Sequence, residues 1–398
     1  MCKESKKSAP ANKSRTPDKT PLISKLKNHP LPYFVYTSMQ TKIILLFLSF
    51  CFCGQLLAQK APKSPNRFKI VALPVAFFTP DTKWGGGVGG LSTFNFKQDS
   101  LGARRSSVTV GVVYTQLRQV LLYFPFQLFP QNQKYWISGE AGYFKYIFNY
   151  FGTGNGIPVD YIEKYDARFP RIRLNMSRKV KEHLYAGLRY AYDDFTFTKR
   201  APNGLLIQDE VAGSNGGRIS GVGAGFNYDT RNSIFFPDKG WLVEGVLYTE
   251  SKQTGSQFKY NRISVDAAKY YSVGKSGVLA LNAASVLSFG NVPFHQMPVI
   301  GGTKRMRGYF EGKYRDKHLL LVQTEFRQPL FWRFGVVAFG GLGMVGADFQ
   351  SLAVQNTRYN YGAGIRFLLD KAQKINVRAD YGRGYKSSGF YLTFGEAF

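Results

Sequence analysis

The chain has 398 residues, a formal net charge of +28 and a mean hydropathy of −0.22, with 34 Phe, 25 Tyr and 42 Gly. Aromatic residues at 16% exclude a disordered chain, and charged residues at 20% exclude a bundle of membrane-spanning helices. What remains suits a barrel whose strands show one face to lipid and the other to water.

Residues 1–38 are polar and basic, with Pro, Ser and Lys throughout, and read as a disordered leader or an early-placed start. Met39 begins a signal peptide over 39–58, in which Lys42 precedes the apolar run Ile43–Cys53 and a cut after Ala58 follows. The run is too short for a spanning helix, which needs about 20 residues. A lipoprotein signal is the rival reading, but Phe50 and Phe52, rather than Gly or Ala, precede Cys51 and Cys53. Residues 59–67 form a short periplasmic segment.

From Phe68 onward the apolar period is two. Tyr359, Tyr361, Ala363, Ile365 and Phe367 share one face, against Asn360, Gly362, Gly364 and Arg366. Ile375, Val377, Ala379 and Tyr381 likewise oppose Asn376, Arg378, Asp380 and Gly382. The segments fall near 68–77, 84–97, 104–116, 119–129, 134–148, 165–178, 183–196, 218–228, 241–250, 258–272, 277–289, 317–328, 333–345, 358–369, 374–383 and 388–398. The expected fold is therefore all-β, a transmembrane antiparallel barrel of about sixteen strands over residues 68–398. Long connections at 149–164, 197–217, 290–316 and 346–357 follow odd-numbered strands and are expected outside the cell. The mostly tight turns after even-numbered strands then face the periplasm.

Gly85, Gly87 and Gly90 match G-x-G-x-x-G, but a strand-like run, Leu91–Phe96, follows where a dinucleotide site needs a helix. They read as glycines of a curved strand. The only cysteines are Cys2, Cys51 and Cys53, and His29, His183, His295 and His318 lack metal-ligand spacing. No catalytic constellation, metal site or cofactor is expected, and the protein is not expected to be an enzyme. The Lys and Arg are spread along the chain without a nucleic-acid module. A basic lumen, or loops facing lipopolysaccharide, accounts for the charge, and no nucleic acid is expected as a partner.

Three stretches stand out. Asp229, Arg231, Pro237 and Gly240 supply turn chemistry between the eighth and ninth strands, with aromatics for the membrane interface. The longest outer loop contains Arg307, Gly308 and Tyr309. It reads either as a mobile surface loop or as a loop folded back into the lumen, with Arg307 meeting an acidic wall. Parity puts Leu320, Val322, Thr324 and Phe326 toward lipid and leaves Glu325 inside. At the terminus Phe390, Leu392, Phe394 and Phe398 share one face, and the chain stops on an aromatic. This is similar to the C-terminal signal that outer-membrane barrels present to their assembly machinery.

Together these stretches resemble the barrel of the BamA/TamA-type outer-membrane assembly superfamily, which includes two-partner secretion translocators and bacterial surface antigens. The run from Asp229 and Arg231 through Pro237 to Gly240 and Trp241 resembles the family's D-T-R, F-P and G-W stretch. Met306–Tyr309 resembles its V-R-G-aromatic lid motif, and Phe151–Asn155, Thr324–Arg327 and Phe339–Gly343 also match. The resemblance implies that Arg307 is a lid arginine projecting into the lumen, with Glu325 as its partner there. Where the family usually has a second acid, on the following strand, this chain has Gly341, so half of the clamp is expected to be missing. The nine or so residues between Ala58 and Phe68 are too few for a periplasmic POTRA domain.

The first expectation is a POTRA-less barrel that moves or inserts protein or lipid at the outer membrane through a weak seam. Pro74 in the first strand and Gly395 in the last would loosen that seam. The alternatives are a passive channel for small, anionic solutes and a structural barrel anchoring a partner. Expected partners are outer-membrane lipid and lipopolysaccharide, the barrel assembly machinery during biogenesis, and a periplasmic or lipoprotein partner.

Overall fold

The structure, a computed structural model, describes residues 68–398 apart from 98, 100–103, 157, 159, 209–210 and 372–373. The leader, signal peptide and periplasmic segment lie outside the described residues.

Sixteen strands close into one antiparallel barrel. They are β1 (Phe68–Thr79), β2 (Lys83–Phe94), β3 (Ser106–Thr115), β4 (Val120–Leu128), β5 (Tyr135–Tyr150), β6 (Glu163–Lys181), β7 (Leu184–Lys199) and β8 (Gly217–Asp229), followed by β9 (Gly240–Glu250), β10 (Tyr260–Val273) and β11 (Gly277–Gly290). Two short strands, β12 (Val299–Ile300) and β13 (Tyr314–Arg315), pair with each other in the long loop that follows. The wall resumes with β14 (His318–Pro329), β15 (Phe334–Gly346), β16 (Arg358–Asp370), β17 (Ile375–Gly384) and β18 (Ser387–Phe394). These sit within a few residues of the segments that alternation marks out, because period-two patterning is imposed directly by a wall with lipid on one side. Tyr359, Tyr361 and Ile365 point outward and are exposed, while Asn360 and Arg366 point inward and are buried. Leu320, Val322 and Phe326 are likewise outward, and Glu325 is fully buried inside.

The glycines of β2 are strand glycines, as expected. A Cβ on Gly87 would lie 2.0 Å from the Val112 carbonyl oxygen, so a side chain there would push β2 off β3. One end of the barrel carries the long connections and is called the loop end; the other, with mostly tight connections, is the turn end. β5, β6 and β7 run 16, 19 and 16 residues, beyond the roughly ten that a tilted strand needs to cross a bilayer. The excess forms a tall wall at the loop end, where Tyr150, Tyr165, Phe169 and Phe195 build a buried aromatic cluster.

The closure between first and last strands is unlike the rest. β1 pairs with β2 along its whole length, from Phe68–Phe94 to Thr79–Lys83, but its register with β18 is a single pair, Phe78–Leu392. β18 ends at Phe394, and Gly395 turns the chain aside with φ of +73°. Continued in that register, Gly395 would oppose Val75 and Phe398 would oppose Ala72. Instead the edge of β1 facing β18 carries no strand there.

Candidate functional site

The loop between β11 and β14 does not stand out in solvent. It folds back inside the barrel. Its first part packs into the aromatic cluster: Phe294 N–H donates to the Ala212 carbonyl (2.8 Å) and the His295 ring stacks on Phe195 at 4.4 Å. Burial among these rings pushes His295 down to about 3, so it stays neutral at ordinary pH. Gln296 Nε2 donates to Asp193 (3.0 Å), which also accepts from Arg171 (2.9 Å) and Arg173 (2.6 Å). This anchors the loop to the tall wall.

The tip, between β12 and β13, reaches the wall formed by β14–β18. Met306 N–H donates to Gln323 Oε1 at 2.9 Å. Gly308, with φ of +111°, lies so close to β17 that a Cβ would meet the Gly382 and Arg383 backbone within 3 Å, so only glycine lets the tip seat. Tyr391 on β18 accepts from Gly308 N–H (2.9 Å) and donates to the Tyr309 carbonyl (3.0 Å). Tyr309 in turn donates to the Tyr359 carbonyl (2.7 Å) and accepts from Tyr385 N–H (2.7 Å).

Arg307 is the centre of the site. Its guanidinium bonds Glu325 on β14 and Asp380 on β17, lies 3.6 Å from the centroid of the Phe339 ring, and is 2% exposed. The second acid is therefore not missing. It comes from Asp380 on β17, two strands along the wall from the Gly341 position on β15, and Gly341 instead faces Asn360 and Gln323. The cluster extends further. Glu325 also accepts from Arg327 (2.8 Å), and Asp380 also binds Arg366 and lies 3.5 Å from Arg378. Glu396, from the segment after β18, accepts from Arg366 and from Asn376, both at 2.8 Å. Four arginines and three side-chain carboxylates, with the terminal carboxylate of Phe398 on Arg327, thus share one nearly dry volume. Such charges are tolerable only while paired, and removing one partner costs about 3–5 kcal/mol.

The C-terminal segment departs from expectation. Phe390 and Phe394 are exposed on the outer face, but Phe398 is inside, packed near Tyr270 and Ala280, with its terminal carboxylate accepting from Arg327 (2.8 Å). Glu396 explains the turn. Extended, it would share the lipid face with Phe394, and an acid there is unfavourable. The positive φ at Gly395 takes it inside to Arg366 instead.

The turn after β8 closes on itself. Asp229 pairs with Arg231 (2.9 Å), Trp241 N–H donates to Thr230 Oγ1 (2.9 Å), Pro237 is buried, and Gly240 has φ of +106°. Phe236 from this turn lies 5.8 Å from the Arg327 guanidinium. Sequence reading singled out Arg307 and Glu325 but missed Arg327, Asp380, Tyr391 and Glu396 as members of the cluster. Asp380 carried a signal, since alternation already put it on an inward face.

Comparison with known proteins agrees with this architecture. A family model described as the Omp85 superfamily domain matches residues 141–398. BamA from Haemophilus ducreyi lacking POTRA domains 1–3 is similar in structure, with a TM-score of 0.56 and 14% identity over 84% of this chain and 71% of that one. CdiB from Acinetobacter baumannii aligns with a TM-score of 0.51 and 15% identity, over 82% of this chain and 60% of its own. CdiB from Escherichia coli aligns with a TM-score of 0.55 and 11% identity, over 84% and 64%. No curated protein matches by sequence. With well over half of its length matched by the family model, this chain belongs to the Omp85 superfamily and is an integral, non-enzymatic β-barrel of the outer membrane.

Proposed function

We propose that this barrel moves or inserts protein or lipid at the outer membrane by opening between β1 and β18. The observation that carries the reading is the seam: one register pair, with the rest of the β1 edge free to accept another strand. The turn end faces the periplasm in this reading, and the lid loop closes the lumen from the outside. Arg307 is the lid residue and Glu325 its partner; the tight turn at Asp229, Arg231, Pro237 and Gly240 braces the periplasmic rim. Phe394 belongs to the strand that the assembly machinery would read during biogenesis, while Phe398 serves inside. Lipopolysaccharide is the partner at the loop end, and a periplasmic or lipoprotein partner would deliver substrate at the turn end. The likeness to BamA and CdiB supports a transport role through the fold alone. A passive anion channel is disfavoured, because the lid tip and the tail fill the lumen beside β14–β18.

The test is depletion of the protein followed by measurement of other outer-membrane proteins and of surface-exposed lipid, with rescue by a Phe78→Cys/Leu392→Cys variant. Depletion should alter at least one of these. Rescue should occur with the pair reduced and fail with it oxidised. Full rescue by the oxidised barrel, or no effect of depletion, overturns the reading.

A further inference from the structure

The turn end holds a cavity of about 460 Å³ beneath the charged cluster. Arg327 and Arg366 line it; both point into the lumen and are 1% and 3% exposed. Each keeps one guanidinium nitrogen without a hydrogen-bond partner, Nη1 of Arg327 and Nη2 of Arg366, the latter 3.7 Å from Glu325 Oε1. A buried, charged N–H left unpaired is costly, so these atoms mark unspent capacity for an anionic oxygen.

The rim of the same cavity is basic. Lys275, Arg333, Lys371 and Lys374 come from three separate turns, and the single acid among the lining residues, Asp238, lies 3.5 Å from Lys374. The lining also crosses from the lumen to the lipid side. Phe334 and Val336 occupy outward positions of β15, and Trp332, in the turn before them, is 70% exposed. A cavity with unpaired arginine N–H groups in its ceiling, a cationic rim and an apolar lip at the membrane surface is built for an anionic amphiphile.

We propose that this cavity binds the monoanionic phosphate headgroup of a glycerophospholipid from the adjoining leaflet. The phosphate oxygens sit below Arg327 and Arg366, within reach of the rim lysines, and an acyl chain leaves over Trp332 and Phe334. A bound phosphate gives an acceptor to the unpaired guanidinium nitrogens of the cluster that holds both the lid and the C-terminal segment. Free phosphate shares the headgroup chemistry but would leave the apolar lip uncovered. The site does not depend on whether the barrel transports anything.

The test is native mass spectrometry of the purified full chain, released from detergent after incubation with equal amounts of phosphatidylglycerol and phosphatidylcholine. Phosphatidylglycerol should be retained over phosphatidylcholine by about tenfold or more, given several cations near one headgroup. Lys371→Gln and Lys374→Gln should each lower its retention about fivefold, the effect expected of one lysine near an anionic headgroup. Trp332→Ala should lower retention of both lipids. These are surface residues, and the heat-modifiable gel shift of each variant establishes that the barrel has folded. Equal retention of the two lipids, unchanged retention in the lysine variants, or displacement of phosphatidylglycerol by millimolar inorganic phosphate or by an acidic peptide overturns the proposal.

Discussion

Arg307 has two acid partners from opposite sides of its guanidinium, and each acid has arginine partners of its own. The two ends of the clamp are therefore unequal. Arg307→Ala leaves Glu325 still bound to Arg327 and Asp380 still bound to Arg366, whereas Glu325→Ala takes one acid away from Arg307, Arg327 and Arg366 at once. Both substitutions should lower the temperature at which the folded barrel loses its gel shift. Glu325→Ala should do so more, with each cost on the order of 3–5 kcal/mol. A smaller effect for Glu325→Ala than for Arg307→Ala would show that the cluster is not shared as described. A second residue-scale effect concerns Asp81, in the turn between β1 and β2. Glu311 N–H from the lid donates to both of its oxygens (3.3 Å), and burial, with the Glu311 charge beside it, pushes Asp81 up to about 7. Its ordinary value is near 4, so between about pH 4 and 7 the native contact holds a proton that the opened form gives up. The contact is thus strongest at low pH, weakens as pH rises to about 7, and is flat above. Lid fluctuations in planar bilayers should increase from pH 5 to pH 8, and Asp81→Asn should remove that dependence.

At the scale of elements, the strands were legible in the sequence because every one of them carries the lipid-against-water alternation. Arg307 and Glu325 were legible too, one from its motif and the other from parity. Asp380, Arg366 and Glu396 were not assembled from sequence, because the pairing register of β14–β17, the curvature of that wall and the bend at Gly395 bring them around one volume. The turn at Gly395 was hidden for a different reason. Phe394 and Phe398 have the same parity, so alternation carries straight through the bend, and only the misplaced acid at Glu396 signals it. Nothing lies within 4 Å of a Cβ built on Gly395, so Gly395→Ala tests the backbone alone, at a cost of about 1 kcal/mol. The tail should then be released from Arg366 more often, and the C-terminus should become accessible to carboxypeptidase in detergent. Unchanged accessibility would mean that the bend is held by packing of Phe398 rather than by the glycine.

For the whole molecule, the two ends differ in the length of their connections, and this sets the direction of insertion. Single cysteines at Asn215 and Asp238 lie at the loop end and turn end respectively. An impermeant thiol reagent added to intact cells should label the first and not the second. The reverse pattern would invert the barrel. The same polarity gives the buried clamp an electrical consequence. The lid enters the lumen from the loop end and carries Lys304, Arg305 and Arg307 against Glu311 at its tip. A voltage across the membrane therefore does work on it, about 2.3 kcal/mol per elementary charge per 100 mV for a full crossing. Set against a clamp of roughly 3–5 kcal/mol, a single charge would be expelled at about 130–220 mV. The barrel should then rectify: large conductance steps appear when the compartment at the loop end is made negative, and the reverse polarity drives the lid deeper and keeps the pore shut.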